Sequence, residues 1–219
     1  MGYGAVGILR KALMSGAFAC CGFAVTAETV VIAALGDSLT QGYGLPEQDG
    51  FVPQLSSWLR DKGADVRLIN AGVSGDTTAG GASRVDWTLT PDVDGMIVAL
   101  GGNDLLRGID PAVSRSNLEA ILQATDAAMV EVLLVGMQAP GNYGAAYKSE
   151  FDAIYPDLAA QFQTGYAPDF FAGLVAEGDP NAARAYLQPD GIHPNAKGVS
   201  LIVEAIGPSV LDLVNQIND

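Results

Sequence analysis

Histidine occurs once in this 219-residue chain, as His193, and cysteine only as the adjacent pair Cys20 and Cys21. One imidazole, with no thiol elsewhere, is too few ligands for a zinc site of the usual nitrogen and sulfur type. The acidic residues are scattered without the spacing of an EF-hand calcium loop, so no metal is expected. Basic residues are also scarce, 11 against 25 acidic, for a net charge of −14. That balance argues against nucleic acid or anionic lipid as partners, and is read as the solubility of an acidic protein. Beyond the N-terminal region no uncharged apolar run approaches the roughly 18 residues that cross a bilayer, so no stable membrane insertion is expected of the mature chain. No serine sits in a G-x-S-x-G elbow. Gly2-Tyr3-Gly4-Ala5-Val6-Gly7 fits G-x-G-x-x-G, but no strand precedes it, and no dinucleotide or other cofactor is expected.

The N-terminus has a different composition. Arg10 and Lys11 precede an apolar, small-residue run from Ala12 to Ala24, closed by Val25-Thr26-Ala27. This reads as a secretory signal over residues 1–27 with a cut after Ala27, leaving one domain over 28–219 in an exported, periplasmic protein. The alternative is an N-terminal anchor or a buried helix. Both cysteines would leave with the signal, so neither a disulfide nor thiol chemistry is expected of the mature chain.

Val30-Val31-Ile32-Ala33-Ala34-Leu35, stopped by Gly36, has the continuous apolar form of a strand covered on both faces. A helix is expected within Phe51 to Asp61, then a short strand Val66–Ile69 ending at Asn70. Met96–Leu100 is a third strand, stopped by Gly101 and Gly102, and Val132–Val135 a fourth. Leu118, Ile121, Leu122 and Thr125 share one helical face, as do Leu201, Ile202, Ala205, Ile206, Val210, Leu213 and Val214 in a closing helix. Strands alternating with helices predict an α/β fold, a three-layer α/β/α sandwich around a mostly parallel sheet. Ligands of such sheets bind in the crevice beyond the carboxyl ends of the strands. No internal repeat or linker interrupts 28–219.

That crevice gathers the residues with chemistry. His193 is the only candidate for a neutral general base, or else an ordinary capping histidine before the last helix. Asp190, three residues earlier across a glycine turn, can reach the ring nitrogen turned away from a substrate, or can simply bond its own turn. Ser38, after Gly36-Asp37 at the end of the first strand, is a nucleophile facing the crevice or a helix N-cap. Asn103 and Gly75 are oxyanion donors or turn residues. Each signal is weak singly, and the reading rests on their joint arrangement.

That arrangement resembles the SGNH or GDSL hydrolase family. The four blocks read Gly36-Asp37-Ser38-Leu39-Thr40, Asn70-Ala71-Gly72-Val73-Ser74-Gly75-Asp76-Thr77, Gly101-Gly102-Asn103-Asp104 and Asp190-Gly191-Ile192-His193-Pro194, in order across essentially the whole mature chain. The resemblance is nearest to the bacterial periplasmic acyl-CoA thioesterase I, lysophospholipase and arylesterase group, through Gly75-Asp76-Thr77, Leu106-Arg107-Gly108 and Pro140-Gly141-Asn142-Tyr143-Gly144. It implies a flavodoxin-like sandwich, with Ser38 as nucleophile, His193 as base and Asp190 orienting it. The oxyanion hole would comprise the Ser38 and Gly75 backbone N–H groups and the Asn103 amide. Leu39, Leu106, Asn142, Tyr143 and Ile192 would line the pocket of a small acyl ester or thioester. Asp37, Asp76 and Asp104 are expected to brace loops rather than move protons. The same blocks also serve carbohydrate O-deacetylases, and a non-catalytic exported binding protein is the reading from another class. Oligomeric state is not expressed in the sequence.

Overall fold

The computed structural model describes residues 1, 29–174 and 182–219. The secretory signal expected over 1–27, apart from Met1, lies outside the described residues. Five strands, β1 (Val30–Gly36), β2 (Val66–Gly72), β3 (Gly95–Ala99), β4 (Glu131–Val135) and β5 (Gly165–Ala167), form one parallel sheet in the order β2-β1-β3-β4-β5. All seven residues of β1 and all five of β3 are buried, which explains why these runs carry no polar alternation. Helices cover both faces, as the sandwich requires. On one side α2 (Phe51–Asp61) packs against α8 (Ala196–Asn218), and on the other α3 (Thr78–Thr88) packs against α5 (Pro111–Ala127), with α6 (Ala145–Asp152) and α7 (Ile154–Phe162) alongside α5.

Local chemistry sets several of these boundaries. Pro111 opens α5 behind Asp110, whose carboxylate accepts the Ala112 N–H at 2.8 Å. Asn195 caps α8 by accepting the Gly198 N–H at 3.0 Å, so the helix begins three residues after His193. By length and hydropathy α8 could cross a bilayer, but half of that window is buried inside the fold, where it contacts the sheet. The structure departs from the sequence expectations in the sheet and in the closing helix. β2 runs on to Gly72, because its last residues still pair with Leu35 and Gly36. Ala205 is exposed, since it falls off the stripe formed by Val199, Ile202, Val203, Ile206, Val210 and Leu213. The sheet also has a fifth strand, only three residues long, whose Gly165-Tyr166-Ala167 is too short to show a pattern.

β1 lies between β2 and β3, so the strand order runs one way from β1 to β2 and the other way from β1 to β3. The crevice above that switch point is where a ligand of this topology sits. The turns after β1, β2 and β3 carry Ser38, Gly75 and Asn103 to it.

Candidate active site

Ser38 is the first residue of a one-turn helix, α1 (Ser38–Gln41), capped by Asp37, whose Oδ1 accepts the Leu39 N–H at 2.9 Å. Its Oγ lies 2.8 Å from His193 Nε2, although 155 positions separate the two residues. His193 Nδ1 in turn lies 2.7 Å from Asp190 Oδ2. The other oxygen of Asp190 accepts the backbone N–H groups of Ile192 and His193 at 2.9 and 3.0 Å. These two backbone bonds and the imidazole contact pull the Asp190 carboxyl down to about 2, the Ile192 N–H contributing most. Asp190 is therefore a fixed anion at any pH near neutrality, aimed at the nitrogen that Ser38 does not use.

Gln188 fastens this base loop to the serine. Its backbone N–H donates to the His193 carbonyl at 2.7 Å, while its side-chain amide donates to the carbonyls of Tyr43 and Pro194 at 2.8 and 3.0 Å. Tyr43, just beyond α1, packs its ring against the imidazole with centroids 4.7 Å apart.

The donors expected for an oxyanion converge on the same spot. Asn103 is the second residue of α4 (Gly102–Arg107), and its amide points back to Asp37 Oδ2 at 3.2 Å. Gly101, which precedes α4, must be glycine on two counts. Its φ is +116°, and a Cβ there would meet the Tyr155 hydroxyl, which donates to the Leu100 carbonyl at 2.8 Å. Gly75 has φ +85° and presents its backbone to the cleft, with its carbonyl held by Arg107 at 2.8 Å. Among the described residues neither the Ser38 nor the Gly75 N–H finds an acceptor, so both are available to a ligand.

The neighbouring aspartates act as struts. Asp104 is fully buried and accepts the Thr78 N–H and hydroxyl at 2.9 and 2.6 Å and the Ser114 hydroxyl at 2.9 Å, joining α4 to α3 and α5. Asp76 is bound by Arg84 at 2.6 Å, and the same guanidinium donates to the carbonyls of Ala71 and Gly36. One arginine thus ties the ends of β1 and β2 to the loop that carries Gly75. Asp37 is different: it is almost wholly buried, and desolvation raises it to about 6 against the opposing pull of the Leu39 N–H and the Asn103 amide. Tyr43, Arg84, Arg107 and Gln188 were not assigned roles from sequence. Arg84, Arg107 and Gln188 bind backbone carbonyls as far as 145 positions away and Tyr43 packs on a ring 150 positions away, and neither kind of contact leaves a pattern in the chain.

Ser38 and His193 open onto a cavity of about 660 Å³ with mostly apolar walls. Leu39, Leu106, Asn142, Tyr143 and Ile192 all line it, and so do Met137, Asp169, Phe171 and Leu174, which the sequence did not single out. Leu106, Tyr143 and Ile192 form an exposed apolar rim, whereas Leu39 is buried behind the serine. The Tyr143 rim is anchored by a row of rings through Tyr147 and Phe151 to Tyr155, centroids 5.0 to 6.0 Å apart, which ends under Gly101.

Comparison with known proteins gives the arrangement its context. Residues 34–201 match the GDSL-like Lipase/Acylhydrolase family. The chain is 35% identical to Esterase TesA of Pseudomonas aeruginosa over 207 residues, covering 94% of this chain and all of that one. It is also 35% identical to Thioesterase 1/protease 1/lysophospholipase L1 of Escherichia coli K12, over 88% of each chain. Among solved structures, AlinE4, an SGNH-hydrolase family esterase, superposes with a TM-score of 0.69 at 43% identity, over 84% of this chain and 96% of that one. With its serine, glycine, asparagine and histidine blocks gathered in one cleft of a 2-1-3-4-5 sheet, this chain belongs to the GDSL-like, or SGNH, family of lipases and acylhydrolases.

Proposed function

We propose that this carboxylic ester hydrolase cleaves acyl esters or thioesters through a covalent acyl-enzyme on Ser38. The observation that carries the reading is the 2.8 Å contact between Ser38 Oγ and His193 Nε2 at the mouth of an apolar cavity. His193 takes the hydroxyl proton as Oγ adds to the acyl carbon, and Asp190 holds the tautomer that leaves Nε2 free to accept it. The tetrahedral oxyanion is met by the N–H groups of Ser38 and Gly75 and by the Asn103 amide. His193 then returns the proton to the leaving alcohol or thiol. A water attacking the acyl-enzyme repeats the sequence and releases the acid.

A cavity of this size with apolar walls favours an aliphatic or aromatic acyl group over the acetyl of a carbohydrate ester. The N-terminal run after Arg10 and Lys11 supports export from the cytoplasm with residues 28–219 as the working domain, which would put the enzyme on extracytoplasmic esters. Hydrolysis of p-nitrophenyl octanoate tests the chemistry. Wild type is expected to turn over, and Ser38→Ala to lose about 10⁶-fold in kcat. Equal rates for the two would overturn the assignment.

A further inference from the structure

The far end of the cavity from Ser38 holds a charge that hydrolysis does not use. Asp169 follows β5, whose pairing with β4 is prolonged by the Gly136 N–H on the Ala167 carbonyl at 2.8 Å and the Phe170 N–H on the Gly136 carbonyl at 2.9 Å. The side chain of Asp169 faces the cavity with Met137, Phe171 and Leu174. One carboxylate oxygen accepts the Phe171 N–H at 3.0 Å, and among the described residues the carboxylate has neither a second donor nor a cation. The nearby cation, Lys148, is engaged with Asp152 and with the Ala139 carbonyl, both at 2.7 Å. Burial, and to a lesser degree the charge of Asp152, push the Asp169 carboxyl above the ordinary carboxylate range, the Phe171 N–H opposing them.

The sheet gives its distance from the chemistry. Ser38 stands at the end of β1 and Asp169 beyond β5, and β3 and β4 lie between. Three strand spacings separate the two, about 14 Å along the carboxyl edge of the sheet. An acyl group esterified to Ser38 and laid in this cavity runs over Met137 toward that carboxyl. A medium chain ends short of it and gains apolar burial at each methylene. A longer unbroken hydrocarbon must lie against the carboxylate and strip its remaining water without offering a hydrogen bond in return, which cancels the gain.

Resting on the acyl-enzyme reading above, we propose that Asp169 is a specificity-determining residue that selects short and medium acyl chains and rejects long saturated ones. It acts at the far end of the pocket and not at the reacting atoms, so its signature is a change in the chain-length profile.

The test is kcat/KM for p-nitrophenyl acetate, octanoate and palmitate in wild type, Asp169→Leu and Asp169→Asn. Asparagine keeps an acceptor for the Phe171 N–H while removing the charge, so it separates selectivity from damage to the turn. Wild type is expected to favour octanoate over palmitate, and the palmitate-to-octanoate ratio to rise about tenfold or more in Asp169→Leu, with Asp169→Asn in between. A ratio that stays at the wild-type value in both variants, while Ser38 still reacts with a fluorophosphonate, overturns the role of Asp169 and leaves the esterase reading standing. Absence of both hydrolysis and Ser38 labelling in wild type overturns the esterase reading, and this inference with it.

Discussion

Two aspartates flank the proposed catalytic pair, Ser38 and His193, and their surroundings drive them in opposite directions. Asp37, one residue before Ser38, is sealed inside the fold and raised to about 6 by loss of water. Asp190, three residues before His193, is exposed and lowered to about 2 by two backbone N–H groups and the imidazole. The nucleophile side is thus built from buried or half-buried, mutually bonded struts, Asp37 with Asn103, Asp104 with Thr78 and Ser114, Arg84 with Asp76 and the ends of β1 and β2. The base side is a short surface turn, held by its own backbone and by Gln188. Rigid donors suit the side that must meet a developing oxyanion, and a permanently charged carboxylate suits the side that must stabilise an imidazolium.

Asp190→Asn is expected to break the base side most sharply. It keeps the shape and the backbone bonds but loses the charge and favours the wrong tautomer, so kcat should fall about 10³-fold with little change in KM. A variant within threefold of wild type would mean that the exposed turn orients His193 without its charge. On the nucleophile side, Asn103→Ala removes one oxyanion donor and should cost about 10²- to 10³-fold in kcat, or roughly 2.7–4 kcal/mol of barrier. Loss confined to KM would place the amide in ground-state binding instead.

The smallest effect separates the two carboxyls by pH. The folded state raises Asp37, so it retains a proton that the unfolded chain has already released. Between about pH 4 and 6 this contribution to stability is lost as pH rises, about 1 to 3 kcal/mol across the window. Asp190 has the opposite sign: its contribution is present above its ordinary value and disappears as pH falls from about 4 toward 2. Urea unfolding at stepped pH should show wild type gaining on Asp37→Asn between pH 6 and 4. It should then show wild type losing ground to Asp190→Asn only below pH 4. Identical pH dependence in wild type and both variants would remove the contrast.

How much of this was visible in the chain follows from the range of the interactions. β1 and β3 announce themselves as apolar runs stopped by glycine, and the four blocks that carry Ser38, Gly75, Asn103 and His193 are short enough to be read in the chain and gain their meaning together. The helices between β4 and β5 have no counterpart among the expected elements, although Tyr143, Tyr147, Phe151 and Tyr155 recur every fourth residue, a helical spacing. Arg84 and Gln188 left no such trace, because a guanidinium or amide that binds distant backbone carbonyls has no partner side chain to pattern against. Asp169 was passed over as one acid among 25, and only the fold turns it toward an apolar chamber.

The convergence of Ser38 and His193 is tested most directly by labelling the purified protein with a fluorophosphonate and mapping the modified peptide. The account predicts a single adduct on Ser38, absent from Ser38→Ala and formed far more slowly in His193→Ala. An adduct on another residue, or undiminished labelling of Ser38→Ala, would contradict it.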